Sequence, residues 1–124
     1  DDPEFDIWGE HAVAGSEGSE VISELEPMEG EPVLEKKNYS AFYDTELNSV
    51  LEDLEVEEVI LTGVLTHICI QHTAADAFFR GYDITIPQQC VEDLSDEEDE
   101  RSLKYIEENY GADILDLNEI LKEW

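Results

Sequence analysis

The chain has 124 residues, 34 of them acidic and 6 basic, for a net charge of −28. That length holds one domain at most, and so few cations leave almost nothing to neutralise phosphates, which disfavours nucleic acid as a partner. Apolar residues at 41% supply a core, so a folded, acid-coated protein is expected rather than a disordered one.

No apolar stretch approaches the roughly 18 residues that a membrane helix needs, so no membrane association is expected. Two cysteines make no disulfide framework, and a reduced, cytoplasmic chain is the simpler reading. The sequence opens on Asp1, not Met, which reads as a processed product or a piece of a longer protein. Self-repulsion at this charge density is screened only at high ionic strength, so a protein from a salt-loving organism is expected.

In chain order, residues 1–18 read as a loop, punctuated by Pro3, Gly9 and Gly15. A short helix is expected over Ser19 to Leu25, ended by Pro27 and Gly30. Pro32 to Glu35 reads as a short strand, followed by the loop Lys36 to Phe42. Leu47, Val50, Leu51 and Leu54 recur at helical spacing, which predicts a helix over Thr45 to Leu54 capped by Asp44 or Thr45. Strands are predicted over Glu58 to Leu61 and Asp83 to Pro87, with a helix between them. Ser95 with Glu98 three residues on reads as a capping box opening a helix that Gly111 stops. Ala112 to Leu115 is a last strand, and Leu117 to Leu121 a terminal helical turn or two. The dense acids from Asp96 to Glu100 read as a solvated helix start. Strands alternating with helices imply an α/β fold, a mostly parallel sheet flanked by helices.

The stretch Thr62 to Tyr82, TGVLTHICIQHTAADAFFRGY, carries the chemistry. An apolar strand feeds a helix whose first turn holds Cys69. Unpaired amides and the positive end of the helix dipole lie there, and both favour a thiolate and an oxyanion. A lone cysteine in a helical pattern is usually a small, inert hydrophobe. Here Gly63-Val64-Leu65-Thr66-His67-Ile68-Cys69-Ile70, then Thr73-Ala74-Ala75-Asp76-Ala77 and Gly81-Tyr82, surround it. This run resembles the cysteine hydrolases of the isochorismatase-like superfamily, and within it the nicotinamidase branch. The resemblance implies a Rossmann-like parallel sheet and Cys69 as nucleophile. It also implies an oxyanion site from the amides of Cys69 and Leu65, with a cis peptide before Leu65.

Lys36 follows a predicted strand, where open α/β sheets place ligands. An ammonium there would steady charge developing on a nearby thiol. By the resemblance, the family's catalytic lysine falls in Lys36-Lys37-Asn38-Tyr39-Ser40-Ala41-Phe42, at Lys36 or, one register on, Lys37. Trp8, Tyr39 and Phe42 are the implied substrate-binding aromatics. His11 and Glu4 are the implied metal ligands, since imidazole and carboxylate suit zinc, manganese or iron. Trp8-Gly9-Glu10-His11 matches the branch's W-x-x-H, whereas its D-x-H is absent from this chain. No organic cofactor is implied. His67 and His72 read as helix surface or pocket lining, and Cys90 as packing.

The expectation is therefore a partial hydrolase domain over residues 1–124. It would act on a small amide, nicotinamide first, with isochorismate or an N-carbamoyl amide as the alternatives. An inactive fragment or acidic interaction module is the non-enzymatic alternative. The family's catalytic Asp sits in a V-D-M-Q-like first strand, and no such segment occurs here. With the two central strands absent, Pro32 to Glu35 and one edge of Glu58 to Leu61 lose their neighbours. Such edges invite pairing with another chain, so the piece alone is expected to form homo-oligomers and to be catalytically weak.

Overall fold

The computed structural model describes residues 2–123, and the chain divides into two compact units, one ending at Val33 and the other beginning at Leu34.

The first unit is mostly irregular. A single helical turn, α1 (Phe5–Trp8), forms where a plain loop was expected, after an Asp2 carboxylate that accepts the Glu4 N–H at 3.0 Å. The expected helix over Ser19 to Leu25 is instead two 3-10 turns, Glu17–Ser19 and Ser23–Leu25. Val21, Ile22 and Leu25 are exposed, so no buried face repays the cost of helix nucleation. Pro32 to Glu35 does not form a strand. Val33 is exposed, and a strand is defined by a paired neighbour rather than by propensity.

The second unit is the α/β body. Its elements are α2 (Leu47–Asp53), β1 (Glu58–Ile60), β2 (Gly63–Val64), a π-helical turn (Thr66–Ile70), α3 (Gln71–Phe79), β3 (Asp83–Pro87), β4 (Val91–Glu92), α4 (Asp96–Tyr110), β5 (Asp113–Leu115) and α5 (Leu117–Leu121). One parallel sheet runs β1-β3-β5, with Val59 opposite Ile84 and Ile86 opposite Ile114. A second parallel pair joins β2 to β4, Gly63 opposite Val91. Neither β2 nor β4 was expected; two residues each are too short to show a period.

β3 is central, and Ile84, Thr85, Ile86 and Pro87 are all buried, as a parallel strand covered on both faces requires. Helix α3 packs on β3 and α4. Ala74 and Ala77, three apart on one face and both fully buried, let its backbone approach closely. From α4, Leu103 and Ile106 complete the core. The ends of α4 fall where the sequence placed them, but the Glu98 carboxylate pairs with Arg101 rather than closing the capping box. Ser95 Oγ accepts the Glu98 N–H at 3.1 Å, and Gly111 takes a left-handed φ of 65°, its N–H closing on Glu107. Helix α2 is shorter than expected. Thr45 Oγ1 accepts the Leu47 N–H at 3.2 Å, so the hydroxyl serves the helix start from two residues out. Among the described residues no helix is long and apolar enough to cross a membrane.

Candidate active site

Cys69 sits in the π-helical turn that links β2 to α3, at the carboxyl end of the β1–β2 segment. The Leu65 carbonyl accepts from both Ile68 N–H, at 3.1 Å, and Ile70 N–H, at 3.3 Å. That pairing widens the first turn beyond α geometry. The Val64–Leu65 peptide is cis, the form the resemblance implied. Cys69 is half-buried and free.

Lys36 Nζ lies 3.6 Å from Cys69 Sγ. The same ammonium donates to the carbonyls of Asn38, at 2.7 Å, and Tyr39, at 3.4 Å. Of the two adjacent lysines, Lys36 is the one that reaches the thiol. What holds its segment there is legible in the structure. Ala41 N–H donates to Thr73 Oγ1 at 3.0 Å, and Ser40 Oγ donates to the Asp76 carboxylate. Thus Tyr39-Ser40-Ala41 and Thr73-Ala74-Ala75-Asp76 bind each other. The Thr and Asp of the α3 motif have a docking role, beyond helix propensity. Ser40 and Thr73 are both buried, while Ala41 and Asp76 are half-buried, so each of these bonds is partly shielded from water. Arg80 extends the network, with Nη1 3.2 Å from Asp76 and its guanidinium 4.7 Å from the centre of the Phe42 ring.

Tyr39 is half-buried, with its ring 5.6 Å from that of His72. His72 Nδ1 is 2.6 Å from the Ile68 carbonyl, which only accepts, so the proton is on Nδ1. Phe42 has a different setting from the one expected of a substrate contact. It is buried in the core and stacked on Tyr82 at 6.0 Å, where its work is packing. Cys90, in a 3-10 turn after β3, is half-buried.

Two residues near Cys69 escaped the sequence reading. Asp93, just after β4, has a fully buried carboxylate. It accepts the His67 backbone N–H at 2.7 Å, His67 Nδ1–H at 2.7 Å and the Leu94 N–H at 2.7 Å. Burial pushes its pKa up, but these hydrogen bonds and the facing imidazole outweigh burial and hold it below the ordinary carboxylate value. Asp99, in the first turn of α4, accepts from Thr66 Oγ1, and Thr66 is wholly buried.

In the first unit, Glu4, just before α1, and His11, in the loop after it, come together, and Trp8 ends α1. His11 Nδ1 donates to the Gly9 carbonyl at 2.7 Å, which leaves the Nε2 lone pair facing Glu4 Oε1 at 3.3 Å. Ligands bonded at about 2.0–2.1 Å in a tetrahedral zinc sphere stand about 3.3 Å apart. These two donors therefore fit one edge of such a sphere. Among the described residues no cluster of three or more His, Cys, Asp or Glu gathers as a metal site. Trp8 is exposed to 43%.

The fold is a parallel α/β domain in which a thiol and a lysine stand 3.6 Å apart just beyond β2. Residues 1–119 match the Isochorismatase domain family, and the chain belongs to that family. It is similar to the crystal structure of N-carbamoylsarcosine amidase from Thermoplasma acidophilum, at 41% identity and a TM-score of 0.86, over 94% of this chain and 65% of that one. It is also similar to nicotinamidase/pyrazinamidase PncA from Bacillus subtilis, at 31% identity and a TM-score of 0.85, over 94% of this chain and 69% of that one. A third neighbour is the pyrazinamidase of Pyrococcus horikoshii in complex with zinc, at 26% identity and a TM-score of 0.74, over 87% of this chain and 62% of that one. The chain spans 58% of the length of one curated Bacillus subtilis relative and 66% of another.

Proposed function

We propose that this chain carries the nucleophile of a small-amide hydrolase, with nicotinamide as the substrate and nicotinate and ammonia as the products. The observation that carries the reading is the 3.6 Å approach of Lys36 Nζ to Cys69 Sγ. An ammonium at that distance stabilises a thiolate and the negative charge that develops as it attacks. The Cys69 sulfur bonds to the amide carbon, and the carbonyl electrons move onto oxygen, facing the amides of Leu65 and Cys69. As they return, the C–N bond breaks and the nitrogen leaves as ammonia with the thiol proton. Water then attacks the thioester carbon, the C–S bond breaks, and the acid is released with the thiol restored. Tyr39 is proposed to bind the flat ring.

Glu4 and His11 are proposed to hold a divalent metal, in keeping with the zinc complex of the Pyrococcus relative. When bound, such an ion would supply Lewis-acid polarisation of whatever oxygen or nitrogen atom completed its coordination. An N-carbamoyl amide is the second reading, favoured by the 41% identity to the Thermoplasma amidase. We also propose that the acid-coated surface suits the chain to high salt.

The test is ammonia release from nicotinamide, pyrazinamide and N-carbamoylsarcosine by the protein and by its Cys69→Ala variant. Cys69-dependent release from nicotinamide supports the first reading. Release from the carbamoyl compound alone replaces it with the second. Release that survives Cys69→Ala overturns both.

A further inference from the structure

Asp93 is a buried anion whose hydrogen bonds come from two backbone N–H groups and one imidazole. Burying a carboxylate is costly unless donors saturate it. Here three donors do, and two of them, the backbone N–H and the ring Nδ1–H, belong to His67. Two bonds from one residue to one carboxylate fix both its backbone and its χ1. The neighbouring Thr66 is fixed too, through its hydroxyl on Asp99. Thr66 and His67 open the turn in which Cys69 stands two residues later. The segment between β4 and α4 thus holds the amino end of the nucleophile's turn, from the side of the sequence opposite to Lys36.

We propose that His67 and Asp93 form a positioning pair that sets the Cys69 turn, so that the thiol and the amides from Leu65 to Cys69 converge on one substrate carbonyl. The proposal rests on the reading of Cys69 as nucleophile. Misplacing a reacting group by about 1 Å costs on the order of 100-fold in rate, so a device of this kind has a large lever. The charged and titratable groups around the turn include Lys36 beside the thiol, His72 on the Ile68 carbonyl, and Asp93, Asp99 and Arg101 on the β4–α4 side. Removing the Asp93 charge, by electrostatics alone, favours a thiolate and speeds its alkylation. Loosening the turn does the opposite. The sign of the effect separates the two.

The experiment is iodoacetamide labelling of the full chain at about pH 7.5, read by mass spectrometry as the ratio of Cys69 to Cys90 modification. Cys90 reports any general loosening, so a merely structural role leaves the ratio unmoved. Asp93→Asn is expected to slow Cys69 relative to Cys90 by on the order of tenfold. His67→Ala is expected to slow it by several-fold. His67→Asn should recover most of that, because its side-chain amide N–H occupies the place of Nδ1–H. Faster labelling of Cys69 in Asp93→Asn, or an unchanged ratio in a folded His67→Ala, overturns the pair. Should Asp93→Asn fail to fold by circular dichroism, His67→Ala decides, because it keeps the carboxylate and its backbone bond. Preferential labelling of Cys90 in the parent protein overturns the nucleophile reading itself, and the pair with it.

Discussion

The contrast between the two cysteines is one of surroundings, since both are half-buried and free. Cys69 has an ammonium at 3.6 Å in the turn that opens α3, whereas Cys90 ends a 3-10 turn and has no hydrogen bond to a cation among the described residues. Lys36→Met should therefore slow Cys69 alkylation several-fold and leave Cys90 unaffected, and equal labelling before and after the change would remove the lysine from the site. His11→Ala should abolish binding of zinc added to the purified protein, measured by equilibrium dialysis, because it deletes the lone pair that faces Glu4 at 3.3 Å. Asp93 gives a pH signature. Its pKa is depressed on folding, so its stabilising effect is complete above the unfolded carboxylate value and is lost as pH falls through the lower, folded one. As pH falls from 6 to about 2.5, the melting temperature of the parent should drop relative to that of Asp93→Asn, so that the gap between the two narrows over the acid limb. Parallel curves would mean that Asp93 is not depressed.

At the scale of elements, the two motifs act through each other. Thr73→Val is close to isosteric but leaves the half-buried Ala41 N–H without its acceptor. A cost of about 1–3 kcal/mol is expected by urea unfolding, together with slower Cys69 labelling, because the Lys36 segment loses an anchor. β3, α4 and α5 were legible in the sequence to within a residue, since alternation, an N-cap serine and a left-handed glycine are local signals. Pro32 to Glu35 was not, because its residues have strand propensity and no ladder partner among the described residues. The thiol and its lysine were legible only through the spacing of the surrounding motif. Asp93 was not legible at all. Its partner His67 is 26 residues away, and no period links the two. Asp99 was concealed differently. It lies in a run of acids that reads as a solvated helix start, yet it is half-buried against Thr66.

At the scale of the whole chain, charge is the dominant feature. Six cations face 34 carboxylates, and several of the six are already engaged. Arg80 is with Asp76, Arg101 with Glu98 and Lys104 with Glu108, while Lys36 faces the thiol. Most carboxylates therefore have only other carboxylates as charged neighbours. Unfolding separates them, so repulsion works against the folded state. Exposed like charges interact over about 10 Å at 0.1 M salt and about 3 Å at 1 M. Adding potassium chloride should thus raise the melting temperature and the far-UV helical signal most steeply below about 1 M. Screening saturates there, whereas salting-out of apolar surface keeps growing with concentration. A rise that continues in a straight line to several molar would assign the effect to apolar burial. A melting temperature and helicity that do not change with salt would show that the carboxylates are spaced widely enough for water alone to screen them, and would remove the case for a surface suited to high salt.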